Sequence, residues 1–176
     1  MESDEQLIEA INRGERGAFE NLYYRYRDWI YNIAWRFTGN QQDALDVLQD
    51  TFIYLMGKFP GFTLYASMKT FLYPTIKHQA MNIRRKRGKF ISDDNGLNEL
   101  PAPELKDGDS RVELTVVLKI LPDEQREILF LRFVDDMELQ EISTALDIPI
   151  GTVKSRLHRA LQTLREDSRT REYFLE

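Results

Sequence analysis

Lys154, Arg156, Arg159 and Arg165 recur at helical spacing towards the end of a 176-residue chain, and Arg84, Arg85, Lys86, Arg87 and Lys89 form a second, denser basic run. Guanidinium and ammonium groups gathered in this way hold phosphates, and an arginine can also bond a guanine edge in two places. A third group, Asp43, Asp46, Gln49 and Asp50, is acidic and polar at helical spacing. The chemistry on offer is recognition by charge and hydrogen bonding. Catalysis would need clustered carboxylates for a metal or an activated nucleophile, and the sequence suggests no such cluster. There are no cysteines and two well-separated histidines, which excludes thiolate centres and leaves too few ligands for a histidine-based zinc site. We therefore expect no catalytic residue, metal, cofactor or small-molecule substrate.

A formal net charge of -5 argues against coating nucleic acid by bulk electrostatics. Two local basic surfaces on an acidic chain instead suit contact with DNA at two places while another face meets a protein. The composition, 42% hydrophobic and 30% charged, is that of a folded globular chain with room for two small cores. Met1 to Gln6 are polar and acidic, and no stretch approaches the roughly 18 to 20 apolar residues of a membrane span. The expected location is a reducing cytoplasm.

The elements that must position these groups read as helices throughout. Phe19, Leu22, Tyr23, Tyr26, Ile30, Ile33, Ala34 and Phe37 recur at three and four, with Gly39 as the stop. Trp29 and Trp35 fall on the same helix as packing residues. A second helix is expected from about Asp43, burying Ala44, Leu45, Leu48, Phe52, Leu55 and Phe59 before Pro60-Gly61. A loop from Phe62 to Ser67 leads to a third, from about Met68 into the basic run, with Phe71, Leu72, Ile76, Ala80 and Ile83 inward and Pro74 expected to bend it. Residues 92–110, SDDNGLNELPAPELKDGDS, combine turn formers and acids without apolar periodicity, the signature of a mobile linker. Four further helices are expected over Arg111 to Leu121, Pro122 to Val134, Glu138 to Leu146, and Gly151 to about Glu166. The fold class is all-α: two small helical domains joined by a flexible acidic linker.

Val153, Leu157, Ala160, Leu161 and Leu164 form the inner stripe of the last helix. Thr152, Lys154, Ser155, Arg156, His158, Arg159 and Gln162 then point away from it. A short helix, the tight turn Asp147-Ile148-Pro149-Ile150 and this basic helix make a helix-turn-helix layout, whose second helix enters the major groove. The competing reading is a solvated charged face on a core helix. On spacing alone, Asp43, Asp46, Gln49 and Asp50 are solubilising charge plus capping of a helix dipole.

The run from Leu121 to Glu166, with its Gly-Thr-Val-Lys-Ser-Arg-Leu-His-Arg-Ala segment, resembles region 4 of extracytoplasmic-function sigma factors, the promoter-specificity subunits of bacterial RNA polymerase. That resemblance implies that Thr152, Lys154, Ser155, Arg156, His158 and Arg159 read the -35 promoter element. Asp147 stands where the family usually has glycine, a substitution that its tolerance of left-handed backbone should allow. Glu138 stands where a serine or threonine cap is preferred. Residues 43–59, DALDVLQDTFIYLMGKF, are similar to sigma region 2.2, which implies that Asp43, Asp46, Gln49 and Asp50 dock on core polymerase.

The third helix resembles regions 2.3 and 2.4, which open the -10 element and hold the non-template strand. The resemblance assigns that work to Tyr65, Ser67, Lys69, Phe71, Lys77, His78, Asn82, Arg84 and Arg85, with a flipped base cradled by the loop Gly61 to Ser67. Such residues supply cations for phosphates and flat or polar groups for exposed bases. Phe71 replaces the usual tryptophan, His78 an asparagine, and Pro74 interrupts a helix that is normally continuous.

The matches imply sigma region 2 over residues 1–91, a linker over 92–110 and sigma region 4 over 111–176. They imply a nonenzymatic subunit whose partners are core RNA polymerase, promoter DNA and an anti-sigma factor. A regulator of another class sharing the C-terminal helix-turn-helix would need a receiver or ligand-binding domain before it, which the acidic and basic helices of the first half do not fit. A sigma-like adaptor that no longer melts DNA is the alternative that Pro74 keeps open.

Overall fold

In the computed structural model, residues 2–88, 118–168 and 170 are described. The expected linker, most of the expected helix from Arg111 to Leu121, and Lys89 lie outside them. The chain divides into two compact units, Met1–Pro101 and Ala102–Glu176. Every regular element among the described residues is helical.

The first unit begins with a helix beyond those expected from apolar periodicity, α1 (Asp4–Asn12). Ser3 starts it with a reciprocal cap: its hydroxyl accepts from the Gln6 N–H at 3.3 Å, and Gln6 Oε1 accepts from the Ser3 N–H at 2.8 Å. At its first residue, Asp4 accepts from Arg25 at 2.7 Å and from the Tyr26 hydroxyl, both on α2 (Ala18–Thr38). Gly17 and Gly39 flank α2 with φ of 83° and 72°, left-handed values that only glycine adopts without cost.

α3 (Gln41–Met56) starts two residues before Asp43, because Asn40 caps it by accepting from the Asp43 N–H at 2.9 Å. Its buried residues are Asp43, Ala44, Val47, Thr51, Phe52 and Leu55. Leu45, expected inside, is exposed, Leu48 is half-buried, and Phe59 lies half-buried beyond the helix end. The stripe is rotated because two polar residues take inward places and find partners there. The Thr51 hydroxyl lies 2.7 Å from both the Val47 carbonyl and Gln79 Oε1 of α4, so a buried polar group is satisfied between two helices.

α4 (Met68–Gly88) continues as one element through Pro74, whose ring is exposed. Leu22, Ile30 and Ile33 of α2, Val47 and Leu55 of α3, and Leu72 and Ile76 of α4 are fully buried and form the core of this unit. Each such side chain contributes about 1.5–3 kcal/mol by leaving water.

The second unit holds α5 (Asp123–Phe133), α6 (Leu139–Leu146) and α7 (Ile150–Glu166). Pro122 precedes the first helical residue of α5, and its carbonyl accepts from the Gln125 and Arg126 N–H groups at 2.9 and 3.0 Å. Leu118, Leu121 and Leu129 pack with Ala160 and Leu164 of α7. Arg126 is 6% exposed, and its guanidinium donates to the carbonyls of Leu118 at 2.9 Å and Leu121 at 2.8 Å. It thereby adds a second bond to the Leu118 carbonyl, which already accepts from the Leu121 N–H at 3.2 Å, and gives the Leu121 carbonyl a donor just ahead of α5.

Candidate nucleic-acid and protein interfaces

The turn between α6 and α7 decides how the basic helix is presented. Asp147 closes α6 at φ 53°, ψ 46°, so the position expected to tolerate left-handed backbone does adopt it. The Ile148 N–H returns to the Ser143 carbonyl at 3.1 Å, while the Ser143 hydroxyl donates to the Ile148 carbonyl at 2.7 Å. Pro149 then opens α7, accepting from the Thr152 N–H at 2.8 Å. Glu138 begins α6 in a capping box as a serine or threonine would: its own N–H donates to the Glu141 carboxylate at 2.8 Å, the bond that Ser3 makes with Gln6 in α1.

Val153, Ala160 and Leu164 pin α7 to the unit, and Leu157 and Leu161 are half-buried. Lys154, Ser155, His158 and Arg159 are exposed on the far side; Thr152 and Arg156 are half-buried at its margin. Arg156 is not simply offered to solvent, since it pairs with Glu124 of α5 at 2.5 Å. Ser155 donates to the Thr152 carbonyl at 3.0 Å. The surface can read bases and hold phosphates, as a recognition helix requires.

In the first unit, Tyr65 is 94% exposed at the crest of the loop before α4. Phe71 is half-buried, and its ring meets Phe62 of that loop at 4.8 Å and Tyr54 at 6.1 Å between centroids. Phe71 therefore supports the loop through Phe62. Ser67 shares a hydrogen with Thr70 Oγ1 at 2.9 Å, and Lys77 lies over the Phe37 ring at 5.9 Å. Further along α4, His78 Nε2 and Asn82 Nδ2 are 2.8 Å apart, and Arg85 donates to Asn82 Oδ1 at 2.7 Å. This chain of bonds aligns three predicted contact residues along one line of the helix. Lys69 and Arg84 are half-buried, and His78 and Arg85 are exposed.

The acidic set is split. Asp46, Gln49 and Asp50 are exposed, with Asp46 accepting from Gln42 at 3.1 Å. Asp43, expected beside them, is 4% exposed and is held by Asn40 at 2.6 Å and Arg87 at 2.7 Å. Its carboxylate turns inward because the helix cap and the end of α4 both meet it there. The outward face contains something the charge pattern did not show: Leu45, Ile53 and Met56 are 42%, 59% and 56% exposed among the acids. Leu45, Gln49, Ile53 and Met56 follow one another at helical spacing, so the signal was present in the sequence. Mixed apolar and acidic character suits a protein partner and repels phosphate.

Among the described residues, no group of three or more metal-ligating side chains is placed to hold a metal ion, and no helix is long and apolar enough to cross a membrane.

Residues 22–90 match the family model of sigma-70 region 2, and residues 117–166 that of sigma-70 region 4. The chain is 31% identical to the ECF RNA polymerase sigma factor SigW of Bacillus subtilis, over 92% of this chain and 95% of that one. It is 30% identical to the RNA polymerase sigma-H factor of Pseudomonas aeruginosa, over 93% of each. Its fold is shared with CnrH, solved with the cytosolic domain of CnrY, at a TM-score of 0.66 and 21% identity, covering 92% of this chain and 94% of CnrH. It is shared likewise with RpoE of Bartonella quintana, solved with the anti-sigma factor NepR, at a TM-score of 0.62 and 21% identity over 85% and 96% of the two chains.

Proposed function

Because this chain belongs to the extracytoplasmic-function group of the sigma-70 family of RNA polymerase sigma factors, we propose a division of labour among its surfaces. Sigma factors are transcription initiation factors that bind core RNA polymerase and promoter DNA. In this chain, residues 1–91 take the core enzyme and the -10 element, 92–110 serve as tether, and 111–176 take the -35 element. Thr152, Lys154, Ser155, Arg156, His158 and Arg159 contact the -35 duplex. Tyr65, Ser67, Lys69, Phe71, Lys77, His78, Asn82, Arg84 and Arg85 serve the melted -10 strand, Phe71 by supporting the loop. Asp46, Gln49 and Asp50 dock on the polymerase, joined by the apolar side chains between them. Asp43 supports α3 from inside.

One observation carries the -35 assignment: α7 is pinned by Val153, Ala160 and Leu164 while Lys154, Ser155, His158 and Arg159 stand exposed on its other face, after a turn closed by a left-handed Asp147. The mechanism is binding rather than bond chemistry. Phosphate contacts set register, arginine and lysine at base edges discriminate sequence, and a base leaving the stack costs a few kcal/mol that its pocket must return.

An anti-sigma protein is a proposed regulator, and the shared fold with an RpoE solved in complex with NepR supports looking for one. Work on polymerase-bound DNA places the chain in the cytoplasm. Reconstituted transcription with bacterial core enzyme on a library of -35 and -10 sequences tests the whole reading. Promoter-specific initiation dependent on this chain is the expected result; core binding without specific initiation would reduce it to an adaptor.

A further inference from the structure

One side chain reaches across fifty residues of sequence to hold the loop that carries Tyr65. Asn12, the last residue of α1, accepts from the Gly61 N–H at 2.7 Å and from the Phe62 N–H at 3.2 Å. Its amide nitrogen donates to the Phe62 carbonyl at 2.9 Å. The orientation of the amide is fixed by this pattern, because reversing it would set an NH2 group against two N–H donors. Gly61 has φ 94°, a conformation that a side chain would strain, so the loop turns at the very residue that Asn12 grips.

The other end of α1 is anchored too. Asp4 is bonded to Arg25 and to the Tyr26 hydroxyl of α2, a helix whose Leu22 and Ile30 are fully buried. The loop is thus tied to the core through α1 on one side and rests on the Phe62–Phe71 contact on the other. Tyr65, three residues beyond Phe62, stays 94% exposed while its base is held.

We propose that Asn12 is a positioning residue for promoter opening: by fixing the backbone of Gly61 and Phe62 it holds the Tyr65 loop in the form that receives the non-template strand. The inference rests on the reading of this loop as a strand contact. Asn12 touches no DNA in this role. Its effect is to remove the cost of ordering the loop when the strand arrives, which is the advantage of pre-organisation.

The test uses the full chain with core polymerase and a promoter carrying thymines in the melted region. Asn12→Ala is expected to lower permanganate reactivity at matched promoter occupancy by about five-fold, the factor that roughly 1 kcal/mol gives, with core affinity unchanged. Amide exchange at Gly61 and Phe62 should accelerate while exchange at Leu72 and Ile76 does not. Asn12→Asp keeps an acceptor for both N–H groups but loses the donor, so an intermediate defect is expected; it also serves if Asn12→Ala unfolds α1. Normal opening despite faster exchange at Gly61 and Phe62 would overturn the proposal, as would equal acceleration at Leu72 and Ile76, which would mean general destabilisation. Tyr65→Ala is measured in parallel. If it opens DNA normally, the loop has no strand role and both readings fall; if it is defective while Asn12→Ala is not, only the positioning role falls.

Discussion

Arg156 of α7 lies 2.5 Å from Glu124 in the first turn of α5, so a side chain expected to face DNA is already paired within its own unit. The Glu124 side chain is 66% exposed and that of Arg156 27%, and an exposed pair of this kind contributes about 0–1 kcal/mol. The pair is better understood as aiming the guanidinium than as stabilising the fold.

Arg156→Ala and Arg159→Ala should therefore weaken binding to -35 DNA, with at least one of them flattening preference at a base pair by about 1–3 kcal/mol. Titration against a set of -35 variants measures this, and a loss equal across all of them would assign both residues to phosphates. Glu124→Gln should change the pattern of preference while leaving the melting temperature nearly unaltered.

Replacing Asp46 and Asp50 together by lysine should abolish binding to core polymerase without loss of helicity, because both side chains are exposed. Asp43→Ala should act the opposite way: core binding persists, but stability falls by about 1 kcal/mol as the Asn40 and Arg87 bonds are lost. Affinity measurements beside chemical denaturation separate the two classes.

At Asp147 the backbone is left-handed, which predicts an ordering of substitutions. Asp147→Gly should be neutral or stabilising by up to about 1 kcal/mol, and Asp147→Val should cost roughly 1–2 kcal/mol or more, since a β-branched residue fits this region poorly. Thermal unfolding of the three proteins checks the order.

The Tyr26 hydroxyl is held above its ordinary pKa of 10.0, first by burial and then by its hydrogen bond to Asp4 and the charge of that carboxylate. The fold thus favours the protonated phenol. Its contribution is fully present below pH about 10 and is lost as pH rises through the higher folded-state value. Absorbance titration should show one of the eight tyrosines ionising last, together with loosening of α1. Tyr26→Phe should remove that step.

Much of this architecture is legible in the sequence because most helices announce themselves through apolar periodicity, as α2 does from Leu22 to Phe37, and Gly39 stops it as expected. What escaped was set by polar groups. α1 begins at Ser3 through a reciprocal bond with Gln6, a serine and a glutamine three apart that read as an acidic tail if only charge is weighed. The phase of α3 depends on Thr51 and Asp43 facing inward, which is favourable only because Gln79, Asn40 and Arg87 wait for them; those partners come from a neighbouring helix or cap. Arg126 is the same case in the second unit, a cation buried against carbonyls that no periodicity discloses.

On the proposed -35 reading, the two faces of α7 have separate duties, which opens promoter preference to change by redesign. Val153, Ala160 and Leu164 answer to packing, whereas Lys154, Ser155, His158 and Arg159 answer to solvent or DNA. A combinatorial library at these four exposed positions should remain folded nearly throughout. The helix then works as an interchangeable cassette, through which a lineage of duplicated genes, or an engineer, can move from one promoter set to another without rebuilding the protein beneath it.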